Sequence, residues 1–161
     1  MDPQASPFAA FSLIVAPAIL TNASSVLAMS TSNRLARAVD RARDLAAQIE
    51  REEDGPARAQ HLRELGVAET RALILLRVLR SFYIALAGFA LAALLSLLGA
   101  VVASTRQTTV VGAFELLAIA AGVIAVAALL HGAVLLIQET RMAVGILQER
   151  VASARALAGG E

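Results

Sequence analysis

The chain has 161 residues, of which 58% are hydrophobic and 17% are charged, and its mean hydropathy is +0.69. This composition is too apolar for an ordinary soluble domain of the same length, and it predicts a small integral membrane protein. The chain contains no cysteine, which excludes disulfides, thiolate nucleophiles and cysteine-ligated metals. The formal net charge of +1 conceals an uneven distribution, because the charges are concentrated in two segments.

The first predicted element is a membrane span over about residues 8–29. No charged side chain occurs between Pro3 and Asn33, and the apolar part of this run is long enough to cross a bilayer as a helix. Pro17 lies inside the span and removes one backbone hydrogen bond. We therefore expect a kink before Pro17, which the hydroxyl of Thr21 could help to satisfy.

The second predicted element is a charged cytoplasmic helical hairpin over about residues 31–80. Apolar residues recur there at three- and four-residue steps, and Gly55 followed by Pro56 predicts a reversal in which the first helix ends on a left-handed glycine. The hairpin holds ten of the fourteen basic residues, whereas the loop between the two later apolar runs holds only Arg106. By the positive-inside rule, the hairpin is expected in the cytoplasm and the N-terminus outside.

Two further spans are predicted over about residues 81–104 and 110–137, and a helix over about 138–158 continues the last span into the cytoplasm. Residues 1–161 are therefore expected to form a single membrane domain. The predicted fold class is all-α: an integral membrane protein of three helices that extend into the cytoplasm as a helical bundle. The predicted location is the bacterial inner (cytoplasmic) membrane, with several passes and the C-terminus inside.

The cytoplasmic ends of the first two predicted spans carry a distinctive pattern. The proline-containing stretch LIVAPAILTNASSVLAMSTSNRLARAVDRARDL is followed by RALILLRVLRSFY, the arginine-bearing approach to the second span. The residues that carry the pattern are Pro17, Asn33, Arg34, Asp40, Arg41, Arg43 and Leu45. Over most of its length the chain resembles the bacterial membrane protein family catalogued as domain of unknown function 2721. The resemblance implies a small inner-membrane protein and assigns it no activity.

Two ionisable residues lie inside the third predicted span. Glu115 is a candidate for an ion or proton path, because a charged group is costly inside a membrane. It lies near the outer end, however, and the alternative is that it reaches the interface or pairs with Arg106. We interpret His131, nearer the inner end, as a hydrogen-bond partner of another helix. The two residues lie about 24 Å apart along the helix axis, so they form no acid-base pair within one chain.

The arginines beside the predicted spans form the other candidate site. Arg34 and Arg37 follow the first span, and Arg77 and Arg80 precede the second. We interpret them as topology determinants that contact membrane lipids, and the alternative is a docking surface for an acidic cytoplasmic protein. Nucleic acid is not an expected partner, because neighbouring carboxylates offset most of the arginines and few aromatic residues are available to stack on bases.

The sequence contains no catalytic, metal or nucleotide motif, so we expect neither an enzyme nor a cofactor. The leading hypothesis is a non-enzymatic scaffold or interaction module with a charged cytoplasmic helical surface. The alternative is a small oligomeric channel or transporter subunit that uses Glu115 and the polar cluster of the first span, namely Thr21, Asn22, Ser24 and Ser25. The candidate functional or interaction residues are Asn33, Arg34, Arg37, Asp40, Arg41, Arg43, Arg77, Arg80, Glu115 and His131.

Small residues in the last two predicted spans bear on self-association. They are Gly88, Ala92, Ala118 and Gly122. Small side chains allow membrane helices to approach closely, and three spans alone bury little surface against one another. The pattern therefore favours a homo-oligomer.

Overall fold

The computed structural model describes residues 7–103 and 108–158, and it describes the side chains of 15–103 and 108–144. These residues form three helices, namely α1 (Pro7–Ile49), α2 (Pro56–Ala103) and α3 (Thr108–Ala158). The helices contain 43, 48 and 51 residues, so each is more than long enough to cross a bilayer. The prediction of an all-helical chain with three helices is confirmed.

Pro17 and Gly66 are residues that disfavour helix, but neither interrupts the helix in which it lies. α1 continues through Pro17, and the Thr21 hydroxyl donates a hydrogen bond of 2.8 Å to the Pro17 carbonyl oxygen. The carbonyl that a proline at this position leaves without its N–H partner belongs to Leu13, so Thr21 does not replace the lost bond. α2 continues through Gly66, whose carbonyl accepts a hydrogen bond of 2.8 Å from Thr70.

The turn between α1 and α2 differs in detail from the expected one. Pro56 opens α2 as predicted, and the backbone N–H of Ala59 donates to the Gly55 carbonyl at 3.2 Å. However, α1 already ends at Ile49, and Gly55 does not adopt the left-handed conformation. The segment is held instead by two side-chain interactions, Asp54 with Arg58 and Glu52 with His61.

The chain divides into two compact units, each of which receives part of every helix. The apolar unit comprises Met1–Asn33 and Leu79–Gly132. The charged unit comprises Arg34–Val78 and Ala133–Glu161. The first unit draws on the uncharged runs of the sequence, whereas the second contains the arginine-rich hairpin and the polar end of α3.

The core of the apolar unit lies where α2 packs closely on α3. Ala85, Phe89 and Ala125 are buried at its centre, and Leu20 of α1 packs against them. Gly88 permits this approach, because a Cβ atom there would lie 2.8 Å from the Cβ of Ala125. Gly88 is therefore used for packing within one chain and is not available as part of a smooth surface for a second copy.

The second close approach in the apolar unit is at Gly132 of α3. A Cβ atom at this position would lie 2.6 Å from the ring of Phe82, and that ring is fully buried. Gly122, in contrast, has no atom within 4 Å of its Cβ position. Of the small residues that favour self-association in the sequence, Gly122 thus keeps an open surface, whereas Ala92 is buried within the chain.

The core of the charged unit is narrower than the predicted apolar face. Leu45 and Ile49 of α1 are buried, together with Ala68, Leu75 and Val78 of α2. The periodicity of α1 predicts an apolar face of Leu35, Val39, Ala42, Ala46 and Ile49. All of these except Ile49 are only half-buried. The half-buried residues line an apolar groove with three leucines of α2, namely Leu65, Leu73 and Leu76. The periodicity near the end of the chain also predicts that Ile146, Leu147 and Val151 pack against α1 and α2, but these three side chains lie outside the described ones.

Within the described residues, two helices are long and apolar enough to cross a membrane, α2 and the Thr108–Val144 part of α3. Only 22% and 11% of the residues in their most apolar windows are buried, whereas the core helix of a soluble protein would bury most of them. The predicted first span, 8–29, is not among these candidates, and its side chains before Val15 lie outside the described residues.

Candidate functional site

The candidate site of the charged unit is centred on Glu139 of α3, whose side chain is only 3% exposed. Its Oε2 atom accepts a hydrogen bond of 3.3 Å from Nη1 of Arg34 on α1. Its Oε1 atom accepts hydrogen bonds from Nε and Nη2 of Arg71 on α2, at 3.1 and 2.7 Å. One carboxylate therefore links the three helices of this unit, and we call Arg34, Glu139 and Arg71 the arginine clamp.

The arginine clamp compensates the negative charge of a carboxylate that the helix packing buries. A buried carboxylate without partners would lose its hydration at a cost of several kcal/mol, so it needs charged hydrogen-bond donors. Arg71 supplies two donors from one planar guanidinium to a single oxygen, Oε1, and hydrogen bonds between charged groups are stronger than those between neutral ones. The side chains of Arg34 and Arg71 remain 43% and 40% exposed, so both cations keep part of their hydration.

A cavity of about 510 Å³ lies beside the clamp and is lined by residues of all three helices. Its charged lining residues are Arg34, Arg37, Arg41, Arg71 and Glu139. Small side chains, including Ala38, Ala68 and Ala143, leave the space between these long side chains open. The part of the lining that the structure describes thus combines four cations with a single anion, and the chemistry it suits is the binding of a further anion.

Two of the cavity arginines have no direct contact with Glu139. Arg41 pairs with Glu64 on α2 at 3.0 Å, and not with Asp44 as its spacing along α1 suggests. Arg37 makes no ion pair within the part of the chain that the structure describes. Its cationic group is therefore the least compensated charge of the cavity.

The remaining predicted residues at the start of the hairpin lie elsewhere. Asn33 is exposed, and so are Asp40 and Arg43, which form a long ion pair of 3.9 Å as their spacing predicts. Arg43 lines the apolar groove of the charged unit and not the cavity. The fold therefore separates the predicted arginines, and it brings Arg34, Arg37 and Arg41 to one cavity.

The two arginines that precede the second predicted span do not join this site. Arg77 and Arg80 are both exposed on α2, and neither lines the cavity. Arg71 lines it in their place, although the sequence pattern gave it no special role. The sequence signal for both residues is a position next to an apolar run. Arg71 precedes the second run, and Glu139 is the first charged residue after the third.

Glu115 and His131 are exposed side chains of α3 in the apolar unit. Neither forms a hydrogen bond with the residues that the structure describes, so the interhelical bond expected of His131 is not made there. The proposed partner of Glu115, Arg106, lies outside the described residues. The two side chains thus interrupt a surface that is otherwise apolar.

The polar cluster of the first predicted span does not act as one group. Thr21 is bonded to its own helix, and Asn22 and Ser25 are exposed. Ser24 is fully buried, and its hydroxyl has no hydrogen-bond partner among the described residues. A buried hydroxyl without a partner is costly, which makes Ser24 the one member with an unexplained position.

The described residues include no group of three or more His, Asp or Glu side chains that could hold a metal ion.

The geometry of the described residues defines a small three-helix protein with two candidate membrane-spanning helices and an arginine-clamped carboxylate. The chain belongs to the family described as protein of unknown function (DUF2721), whose sequence model matches residues 14–149. No curated protein and no solved structure matches it.

Proposed function

We propose that the protein is a non-enzymatic, multi-pass protein of the bacterial inner membrane, and that its charged unit is a cytoplasmic interaction module. The observation that carries the proposal is the contrast between the two units. Large apolar side chains of α3 are exposed in the apolar unit, including Leu116, Ile119 and Val123. In the charged unit, arginines from α1 and α2 converge on one buried carboxylate of α3.

The apolar unit supports insertion because water is a poor solvent for so continuous an apolar surface. In a bilayer the same side chains face lipid, and the helices satisfy their own backbone hydrogen bonds. The charged unit cannot enter the hydrocarbon region at comparable cost. Since the unit contains most of the arginines, the positive-inside rule assigns it to the cytoplasm and the N-terminus to the other side.

The topology gives a direct prediction with cysteine labelling, because the chain contains no native cysteine. Single variants Thr108→Cys and Asp54→Cys place a thiol at the first residue of α3 and in the exposed α1–α2 turn. In intact cells, an impermeant thiol reagent should label Thr108→Cys only. Asp54→Cys should react after the membrane is permeabilised, which controls for access to the thiol. Labelling of Asp54→Cys in intact cells would contradict the orientation.

The interaction module itself is tested by photo-crosslinking in native membranes. A crosslinking amino acid at Ala47, an exposed position of α1 in the charged unit, should capture a cytoplasmic protein with an acidic contact surface. The captured protein should be lost when the neighbouring cation is removed by Arg43→Gln. A matched crosslinker at Leu116, on the exposed apolar surface, should not capture it. No capture from Ala47 would argue against an interaction module.

An oligomeric channel or transporter subunit is the alternative proposal, and Glu115 is the observation that favours it. This carboxylate is exposed among apolar side chains, a position at which an ionisable group is costly unless it serves a pathway or meets a partner. Three helices enclose no pore by themselves, so this function requires several copies. The open surface at Gly122 would allow a helix of another copy to approach.

A further inference from the structure

The cavity of the charged unit contains more positive charge than its own carboxylates neutralise. Among the described side chains, Glu139 is the one acidic lining residue, and both oxygen atoms of this carboxylate are already occupied by Arg34 and Arg71. Arg41 is paired with Glu64, whereas Arg37 has no ion pair among the described residues. The uncompensated charge attracts an anion from outside the chain.

The cavity also retains unused hydrogen-bond donors. An arginine side chain carries five N–H donors in a planar arrangement. Arg71 directs two of its nitrogen atoms to Glu139, and Arg34 directs one. Both side chains are substantially exposed, as is that of Arg41, so their remaining donors are accessible to a ligand.

From this arrangement we propose that the cavity binds a phosphate group, carried either by a membrane lipid or by a soluble phosphate compound. A phosphate presents several acceptor oxygens in three dimensions, so it can bond to guanidinium groups from different helices at once. A lone carboxylate has two oxygens and is satisfied by fewer arginines. The volume of about 510 Å³ is within the range of small-ligand sites, and it exceeds the needs of a simple ion.

The position of the cavity in the sequence is compatible with a lipid headgroup. Arg34 is the first charged residue after the long uncharged run of α1, and Glu139 is the first after that of α3. Residues at such boundaries lie at headgroup depth when the runs span a bilayer. The phosphate site does not require the proposed interaction with a protein, since a soluble phosphate compound could fill the cavity equally well.

The test measures phosphate binding to the purified full-length protein in detergent. One arm titrates phosphatidylglycerol against diacylglycerol, a lipid without a phosphate, and counts bound lipids by native mass spectrometry. The other arm titrates inorganic phosphate and measures binding by calorimetry. The test variant is Arg37→Gln, which removes a cavity cation and breaks no described ion pair. The control is Arg43→Gln, which removes the same charge from the same helix outside the cavity.

We expect Arg37→Gln to weaken binding about tenfold or more, because a charged hydrogen bond to phosphate is lost, and Arg43→Gln to change it less than about twofold. Selective binding of phosphatidylglycerol identifies a headgroup as the ligand, whereas binding of inorganic phosphate identifies a soluble source. Thermal unfolding should be the same for both variants. The cavity is not a phosphate site if the wild-type protein shows neither selective binding of phosphatidylglycerol nor binding of inorganic phosphate. The same conclusion follows if both variants lose binding equally.

Discussion

Glu139→Gln is expected to lower the free energy of unfolding of the purified protein by about 2 kcal/mol. The substitution preserves the shape of the side chain but removes the charge that Arg34 and Arg71 share. Loss of a fully buried ion-pair partner costs more than this, but both arginines are partly exposed and can recover hydration. The measurement is denaturant unfolding in detergent, followed by helical circular dichroism.

The two arginines of the clamp should differ in their effects. Arg71 contributes two hydrogen bonds to Glu139 and Arg34 contributes one longer bond, so Arg71→Gln should destabilise the protein more than Arg34→Gln. The control is Asp40→Asn, which removes an exposed partner of a 3.9 Å ion pair and should cost less than about 0.5 kcal/mol. Equal effects of Glu139→Gln and Asp40→Asn would mean that the clamp does not hold the charged unit together.

Gly88→Leu should destabilise the apolar unit by about 1–3 kcal/mol, because even a Cβ atom at this position collides with α3. The collision is with the Cβ of Ala125, at 2.8 Å, and the backbone oxygen of Ala121 and the Cα of Ala125, at 3.2 and 3.3 Å, are also closer than ordinary contacts. Backbone atoms cannot rotate away as the end of a flexible side chain can, so α2 and α3 must separate. The readout is the same unfolding experiment, together with a crosslink between cysteines introduced on α2 and α3.

Gly122→Leu is the matched control for Gly88→Leu. It adds the same side chain to a transmembrane candidate helix at a position with no atom within 4 Å of the new Cβ. The monomer should therefore tolerate it, and any change should be in self-association. If Gly122→Leu destabilised the monomer as much as Gly88→Leu, the close packing of α2 on α3 would not be the reason for the glycine at position 88.

The helices could be predicted from the sequence because hydrophobicity and turn residues act locally. The long uncharged runs and the Gly55–Pro56 pair gave the number of helices and the place of the reversal. Local sequence patterns predict less well which face of each helix is buried. In a chain rich in alanine and leucine, several faces have similar periodicity, and the buried line proved to include Leu45, Ala68 and Leu75. The faces are decided by tertiary contacts, which the spacing of residues along one helix does not contain.

The candidate site could be predicted only in part for the same reason. Arg34 and Arg37 are identified by their position next to the first apolar run, and Arg41 by the pattern that carries the family resemblance. Their shared anion, Glu139, lies 105 residues from Arg34 in sequence, and local charge spacing cannot identify such a partner. Arg41 is an example of this limit. Its spacing along α1 makes Asp44 a candidate ion-pair partner, but the residue it pairs with is Glu64 of the neighbouring helix.

The position of Glu139 on the last helix has a consequence for biogenesis. While the chain is being synthesised, Arg34 and Arg71 leave the ribosome long before their common carboxylate does. During that interval the nascent α1–α2 hairpin carries both guanidinium groups without the anion that binds them. Because Glu139 accepts hydrogen bonds from both earlier helices at once, the charged unit can reach its final arrangement only after α3 has emerged. A chain that stops before residue 139 therefore lacks the clamp and leaves both guanidinium groups without their shared carboxylate.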